Sequence, residues 1–277
     1  MLSVVCAVSV NGQTSNEQVT LQDSVVKAVP AVVKAPVIKP KKPKPLTKEF
    51  SGGVRLNTDG WSVFVEKGWI RSEDSRNADK FYDVRIAQIE LTEHKHVKEI
   101  KETNPNPVIN NEKPKPYIYG KVNHFYALKL GYGKRKMIAG KPDPGTVSIH
   151  WVYQGGLSIG LLKPYYLDAY VMQDNPRRLE KESIKYSDET KEPFLSQRYI
   201  VGSSGWTKGI GDTKFAPGIH AKTGLHFDFA PSPKTNLALE VGLSAELYTQ
   251  KIEIMANQDA RPYLFNAYVG VQFGKRY

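Results

Sequence analysis

Leu237-Ala238-Leu239-Glu240-Val241-Gly242-Leu243-Ser244-Ala245-Glu246-Leu247 is the stretch that decides the fold of this chain. Its odd positions are all apolar, and its even positions are small, acidic or glycine. Alternation with period two places successive side chains on opposite faces of a strand. The same rhythm runs through 265–273, with Phe265, Ala267, Val269, Val271 and Phe273 opposing Asn266, Tyr268, Gly270 and Gln272. It also runs through 219–229, where Ile219, Ala221, Leu225, Phe227 and Phe229 oppose His220, Lys222, Gly224, His226 and Asp228.

A half-buried strand of a soluble sheet, such as a lipocalin-like barrel, would show the same alternation. Three features favour a membrane barrel. The segments keep their rhythm over about ten residues, the length of a tilted bilayer-crossing strand. Glycine recurs on the polar face, as a crowded lumen requires, and aromatics gather at segment ends, as in an interfacial girdle. The fold class expected is therefore all-β: an antiparallel up-and-down transmembrane β-barrel of about eight strands.

Five further segments complete that number. Residues 147–161 set Ile149, Trp151, Tyr153, Leu157, Ile159 and Leu161 against His150, Gln154, Gly156 and Ser158; residues 122–132 set Leu128, Leu130 and Tyr132 against Lys129 and Gly131. Asn57-Thr58-Asp59-Gly60 is a hairpin turn joining Val54-Arg55-Leu56 to Trp61-Ser62-Val63-Phe64-Val65. Segment 81–93 changes parity near Ala87-Gln88, which reads as a bulge. An even strand count brings both termini to the periplasmic side. The connections at 72–79, 140–145 and 231–235 are then short periplasmic turns, and those at about 95–116 and 172–213 are long external loops.

The remaining chain is of a different kind. No run of 18 apolar residues occurs, which excludes a transmembrane helix. The net charge is +11 over 277 residues, and part of it is local. Residues 15–48 carry lysines 27, 34, 39, 41, 42, 44 and 48 against Glu17 and Asp23. Prolines at short intervals favour an extended polyproline tether there. The run has neither arginine nor aromatic residues for base stacking, which argues against nucleic acid. Leu2–Val10 reads as the hydrophobic part of a signal peptide, with Val10 and Gly12 at the small-residue positions. Lipidation of Cys6, the single cysteine, is the rival reading. The organisation expected is a signal peptide at 1–12, a disordered Lys/Pro-rich periplasmic linker at 13–48 and the barrel at 49–277.

An eight-stranded barrel is just wide enough to be filled by side chains. The polar faces predict a lumen ion-pair network of Arg55, Arg85, Lys129, Lys222, Asp228, Glu240 and Glu246, joined by Asp83, Glu90, His150, His226 and Arg276. Such a lattice plugs the barrel, so a small channel stands only as an alternative. A second alternative is a lipid-modifying or proteolytic rim enzyme. His220, His226 and Asp228 share one face of one strand, and Ser244 lies on the next. His94-Lys95-His96 lacks an identifiable third metal ligand. No catalytic, cofactor or metal site is assigned, and no cofactor is expected. In the loop 172–213, Tyr186, Phe194, Tyr199 and Trp206 are candidates for a protein interface; the other reading is a loop packed on its own rim.

The ending Tyr268-Val269-Gly270-Val271-Gln272-Phe273-Gly274-Lys275-Arg276-Tyr277 resembles the C-terminal signal of bacterial outer-membrane barrels, with Gly270, Phe273 and Tyr277 at its marked positions. Lys275 departs from that pattern, where an apolar residue is usual. With eight strands, residues 50–277 look like the small OmpA/OmpX-type class. The resemblance implies residence in the outer membrane, contact with its lipid and recognition by the barrel-assembly machinery. The function expected is non-enzymatic: a structural or accessory subunit that meets a protein partner through its long external loops or its basic tail.

Overall fold

The computed structural model describes residues 46–71, 83–105, 113–140, 146–172, 179–232 and 234–277. The expected signal segment, Cys6 and nearly all of the expected linker lie outside the described residues, as do residues 72–82 and 141–145. In chain order the strands are β1 (Lys48–Asn57), β2 (Gly60–Arg71), β3 (Asp83–His94), β4 (Lys101–Glu102), β5 (Tyr117–Ile118), β6 (Asn123–Ala139), β7 (Ser148–Pro164), β8 (Tyr166–Met172), β9 (Leu179–Lys185), β10 (Ile200–Ser203), β11 (Lys214–Asp228), β12 (Thr235–Ile252) and β13 (Arg261–Arg276). One five-residue helix, α1 (Lys191–Leu195), precedes β10.

Eight of these strands close an antiparallel barrel in the order β1-β13-β12-β11-β7-β6-β3-β2. Each strand pairs with its sequence neighbour in the barrel, and β13 returns to β1, from Glu49 opposite Arg276 to Asn57 opposite Tyr268. Closure leaves no sheet edge, so the strand ladders pair their backbone groups around the whole wall, as hydrocarbon demands. The main chain of Tyr277 is tied into the seam: its N–H donates to Lys48 O at 2.9 Å, and its carbonyl accepts from the N–H of Lys48 at 2.9 Å. The tight turn falls at 57–60, as expected.

The barrel is polar inside and apolar outside. Leu243, Phe265 and Leu157 are exposed on the wall, whereas Arg55, Glu240 and Glu246 are buried in the lumen. This is the arrangement of an outer-membrane-type barrel, in which lipid rather than a partner sheet covers the apolar face. Seven of the eight wall strands exceed the expected ten residues, at 12 to 18. The 18 residues of β12 span about 60 Å along the strand, or about 45 Å of height at a tilt of about 40°, still well above an apolar band of about 25 Å. The wall is therefore taller than the apolar band, and its upper part is the end that carries the long loops. There the interior turns apolar: Phe125, Ala127, Leu162, Ala216, Tyr248, Ile252 and Met255 form a cluster.

The bulge expected near Ala87-Gln88 does not exist. β3 keeps continuous register against both β2 and β6. The parity of apolar residues changes because Val84 and Ile86 point inward with Ile70 and Val152, making a small apolar cluster at the terminal end of the lumen. Consequently Asp83 and Arg85, assigned to the lumen from sequence, lie on the outer wall, and Arg85 is exposed.

Candidate functional site: the charged lumen and the loop cap

Period-two geometry brings the inward residues of all eight strands into one narrow space, where they sort by height. At mid-height Arg55 is central. Its Nη1 lies 2.6 Å from Glu90 Oε2, its Nη2 lies 3.2 Å from Glu240 Oε1, and its guanidinium sits 3.6 Å from the Phe64 ring centroid. Gly270 makes room for it, since a Cβ there would meet Arg55 Cγ at 2.5 Å. Lys222 Nζ donates to Gln88 Oε1 at 2.5 Å and lies 3.5 Å from Glu90. The Tyr268 hydroxyl donates to Glu240 at 2.9 Å.

Nearer the long loops, Lys129 Nζ meets Glu246 Oε1 at 2.5 Å, and Tyr248 OH donates to the other Glu246 oxygen at 2.5 Å. His94 bridges Asp59 (Nδ1 to Oδ2, 2.7 Å) and Glu246 (Nε2 to Oε1, 3.3 Å). Toward the termini, Arg135 Nη2 donates to Glu49 at 2.9 Å and to Glu66 at 2.5 Å. Arg276 Nε donates to Glu49 Oε2 at 2.9 Å, and its Nη2 donates to Asp228. Five buried cations (Arg55, Lys129, Arg135, Lys222, Arg276) thus interleave with Glu49, Glu66, Glu90, Asp228, Glu240 and Glu246. Charges taken from water need such partners at close range, and a lattice of this density fills the bore.

Several sequence assignments change here. Arg85 takes no part in this lattice. Asp228 serves Arg276, and the carboxylate beside His226 is that of Glu240, 3.5 Å away. His226 stands edge-on to His150, with ring centroids 5.8 Å apart. Asp228 and His226 are therefore parts of two different contacts rather than one relay. His94 and His96 also part company: the first is inside the barrel, and the second accepts the Lys98 N–H in the loop. Glu49, Glu66 and Arg135 were missed. Their signal was parity alone, since Arg135 continues Lys129 and Gly131, Glu66 continues Ser62 and Phe64, and Glu49 leads to Ser51 and Arg55.

The solved structures it resembles are small outer-membrane barrels. Neisserial surface protein A overlays with a TM-score of 0.38 at 8% identity, over 84% of this chain and 98% of that one. Ail, the attachment invasion locus protein of Yersinia pestis, gives 0.37 at 8% identity, over 84% and 100%. The N-terminal barrel domain of Pseudomonas aeruginosa OprF gives 0.33 at 10% identity, over 82% and 96%. No protein-family model matches the chain, and no curated protein matches its sequence. The architecture stands on the closed sheet itself.

Above the lumen the two long loops form one body. β10, β8 and β9 make a three-stranded sheet over a core of Tyr117, Tyr165, Leu167, Ala169, Ile184, Phe194 and Ile200. Phe194 is fully buried and packs edge-on against Tyr186, at 5.6 Å between centroids. These two aromatics are thus core residues of the cap, and Tyr199 is half-buried. Trp206 differs: it is 64% exposed, and its ring lies 4.2 Å from Lys163 Nζ. Asn104 of the first loop clasps the second, donating to the carbonyls of Gln197 (2.7 Å) and Ile200 (2.8 Å). Within the sheet Asp168 accepts from the hydroxyls of Ser183 (2.5 Å) and Ser204. Burial alone would raise its carboxyl, but the two hydroxyls together with the charges of Lys181 and Lys208 hold it below its ordinary value.

Proposed function

We propose that this chain is a non-enzymatic outer-membrane β-barrel acting as a structural or accessory subunit, with its termini in the periplasm and its loop cap presented to a surface partner. The observation that carries this reading is the cap. Long barrel loops without a task tend to be mobile, whereas these two share a core and are clasped by Asn104. Trp206 and Val97, the latter 90% exposed, leave large apolar groups uncovered on those loops. The ion-paired lumen supports the same reading, because its buried charges meet across the bore and occupy it with side chains. Outer-membrane lipid and the barrel-assembly machinery are the other partners, the latter through the strand bearing Gly270, Phe273 and Tyr277. Phe273 and Tyr277 are both exposed on the wall.

Purification from membranes in mild detergent tests the proposal. The wild-type chain is expected to run with a partner, and Asn104→Ala to lose that partner while keeping the heat-modifiable gel mobility of a folded barrel. A chain that always runs alone as a monomer would refute it.

A further inference from the structure

The outer wall is electrically lopsided. At the end carrying the termini, the outward positions include Lys48, Lys67, Arg85, Lys134, Lys136 and Lys275. Register makes them neighbours. Lys275 and Lys67 flank Phe50 on successive strands; Lys48, Trp69, Arg85 and Lys134 form one cross-strand row; and Lys136 lies opposite Asp83 and Trp151. Asp83 is the one carboxylate at these outward positions, and no ion pair joins the six cations to a carboxylate among the described residues. Arg85 and Lys134 stand directly opposite each other, an arrangement that destabilises a sheet unless an anion lies between them. At the loop end, by contrast, exposed lysines do meet carboxylates of the chain. Glu93 takes the Trp61 indole N–H at 2.6 Å and lies 3.5 Å from Lys95, and Lys185 meets Asp212 at 2.9 Å.

We infer that this basic crescent binds the headgroup phosphates of anionic glycerophospholipids in the leaflet at the terminal end. Three properties fit that ligand. Arginine grips phosphate through two donors, and lysines add point charge. Trp69, Phe50 and Trp151 are exposed between the cations, at the depth where aromatic rings favour the interface. Further along the same strands Val54, Val65, Ile89 and Leu130 are all exposed, which offers a surface to the acyl chains attached to that headgroup. Free phosphate would use only the first property. The inference rests on the membrane reading above, and it adds which lipid the wall selects and on which side.

The test uses the full chain folded into phosphatidylcholine vesicles doped with spin-labelled phosphatidylglycerol or spin-labelled phosphatidylcholine. The fraction of immobilised label reads selectivity. The wild-type chain is expected to immobilise phosphatidylglycerol preferentially, with the preference weakened by salt. Each cation near an anionic surface is worth roughly fivefold in binding, so K67Q/R85Q/K134Q is expected to lose about tenfold or more in selectivity. The charge-keeping K67R/R85K/K134R is expected to retain it. Equal immobilisation of both lipids by an inserted wild-type chain, or unchanged selectivity in the glutamine variant, overturns the inference alone. A chain that does not insert in either vesicle overturns the membrane reading and this inference together.

Discussion

Arg55 shows how much one residue carries in an inverted core. It contacts Glu90 and Glu240 with almost no exposure to water, and two aromatic rings cover its guanidinium. Arg55→Met would leave two buried carboxylates without their main counter-charge, an expected loss of about 3–5 kcal/mol in vesicle-based urea unfolding. Adding Glu240→Gln should recover part of that loss, because the second substitution removes an orphaned charge. An unchanged unfolding midpoint for the single variant would show that the lattice does not bear on stability. Gly270→Ala tests the same spot from the other side. Its new methyl would collide with the Arg55 stem, and overpacking of this kind costs about 1–3 kcal/mol. The expected readout is a lower unfolding midpoint with the heat-modifiable form still present.

At the scale of elements, the cap has an apolar core of its own. Its sheet is secured by Asp168, whose carboxyl, against the effect of burial, is held below its ordinary value by the hydroxyls of Ser183 and Ser204 and the charges of Lys181 and Lys208. A depressed folded-state value means that this group contributes stability above its unfolded value and loses it as pH falls through the folded one. Cap protection in hydrogen exchange should therefore weaken on acidification below the ordinary carboxylate range. Asp168→Asn should show weaker protection at neutral pH and little further acid dependence from this site. Wall amides of β12 and β13 should not follow either change. If wall and cap exchanged together in the variant, the two would be one cooperative unit. Within the wall, the misread parity of β3 teaches a related lesson. Apolar residues face lipid along most of this barrel, but Val84 and Ile86 face inward, where they pack with Ile70 and Val152 beside the buried Arg135. Hydrophobicity says that a side chain avoids water; it does not say on which side of a membrane wall it does so.

For the whole molecule, the interior lattice and the apolar cluster above it predict an absence of steady conductance in planar bilayers. A stable ohmic step from the purified chain would contradict the plugged-bore description. Much of this architecture was legible in the linear sequence. Alternation over 219–229, 237–247 and 265–273, the turn at 57–60 and the spacing of the connections identify eight strands and an up-and-down order, because side chains of a strand must alternate and short turns permit only adjacent pairing. The lumen members on those strands, including Lys222, Glu240 and Glu246, follow from the same parity. Which cation meets which carboxylate did not follow, since partners such as Arg55 and Glu240 lie 185 residues apart and meet only through the shear of a closed sheet. Nor did the fate of the loop aromatics. Composition marks Tyr186, Phe194 and Trp206 alike, but only folding of the two loops onto each other buries Phe194 and leaves Trp206 outside. Periodicity is a local property that a sequence carries by itself. Pairing across the bore, the side each charge faces and the burial of a loop depend on contacts between distant segments, so only the tertiary structure decided them.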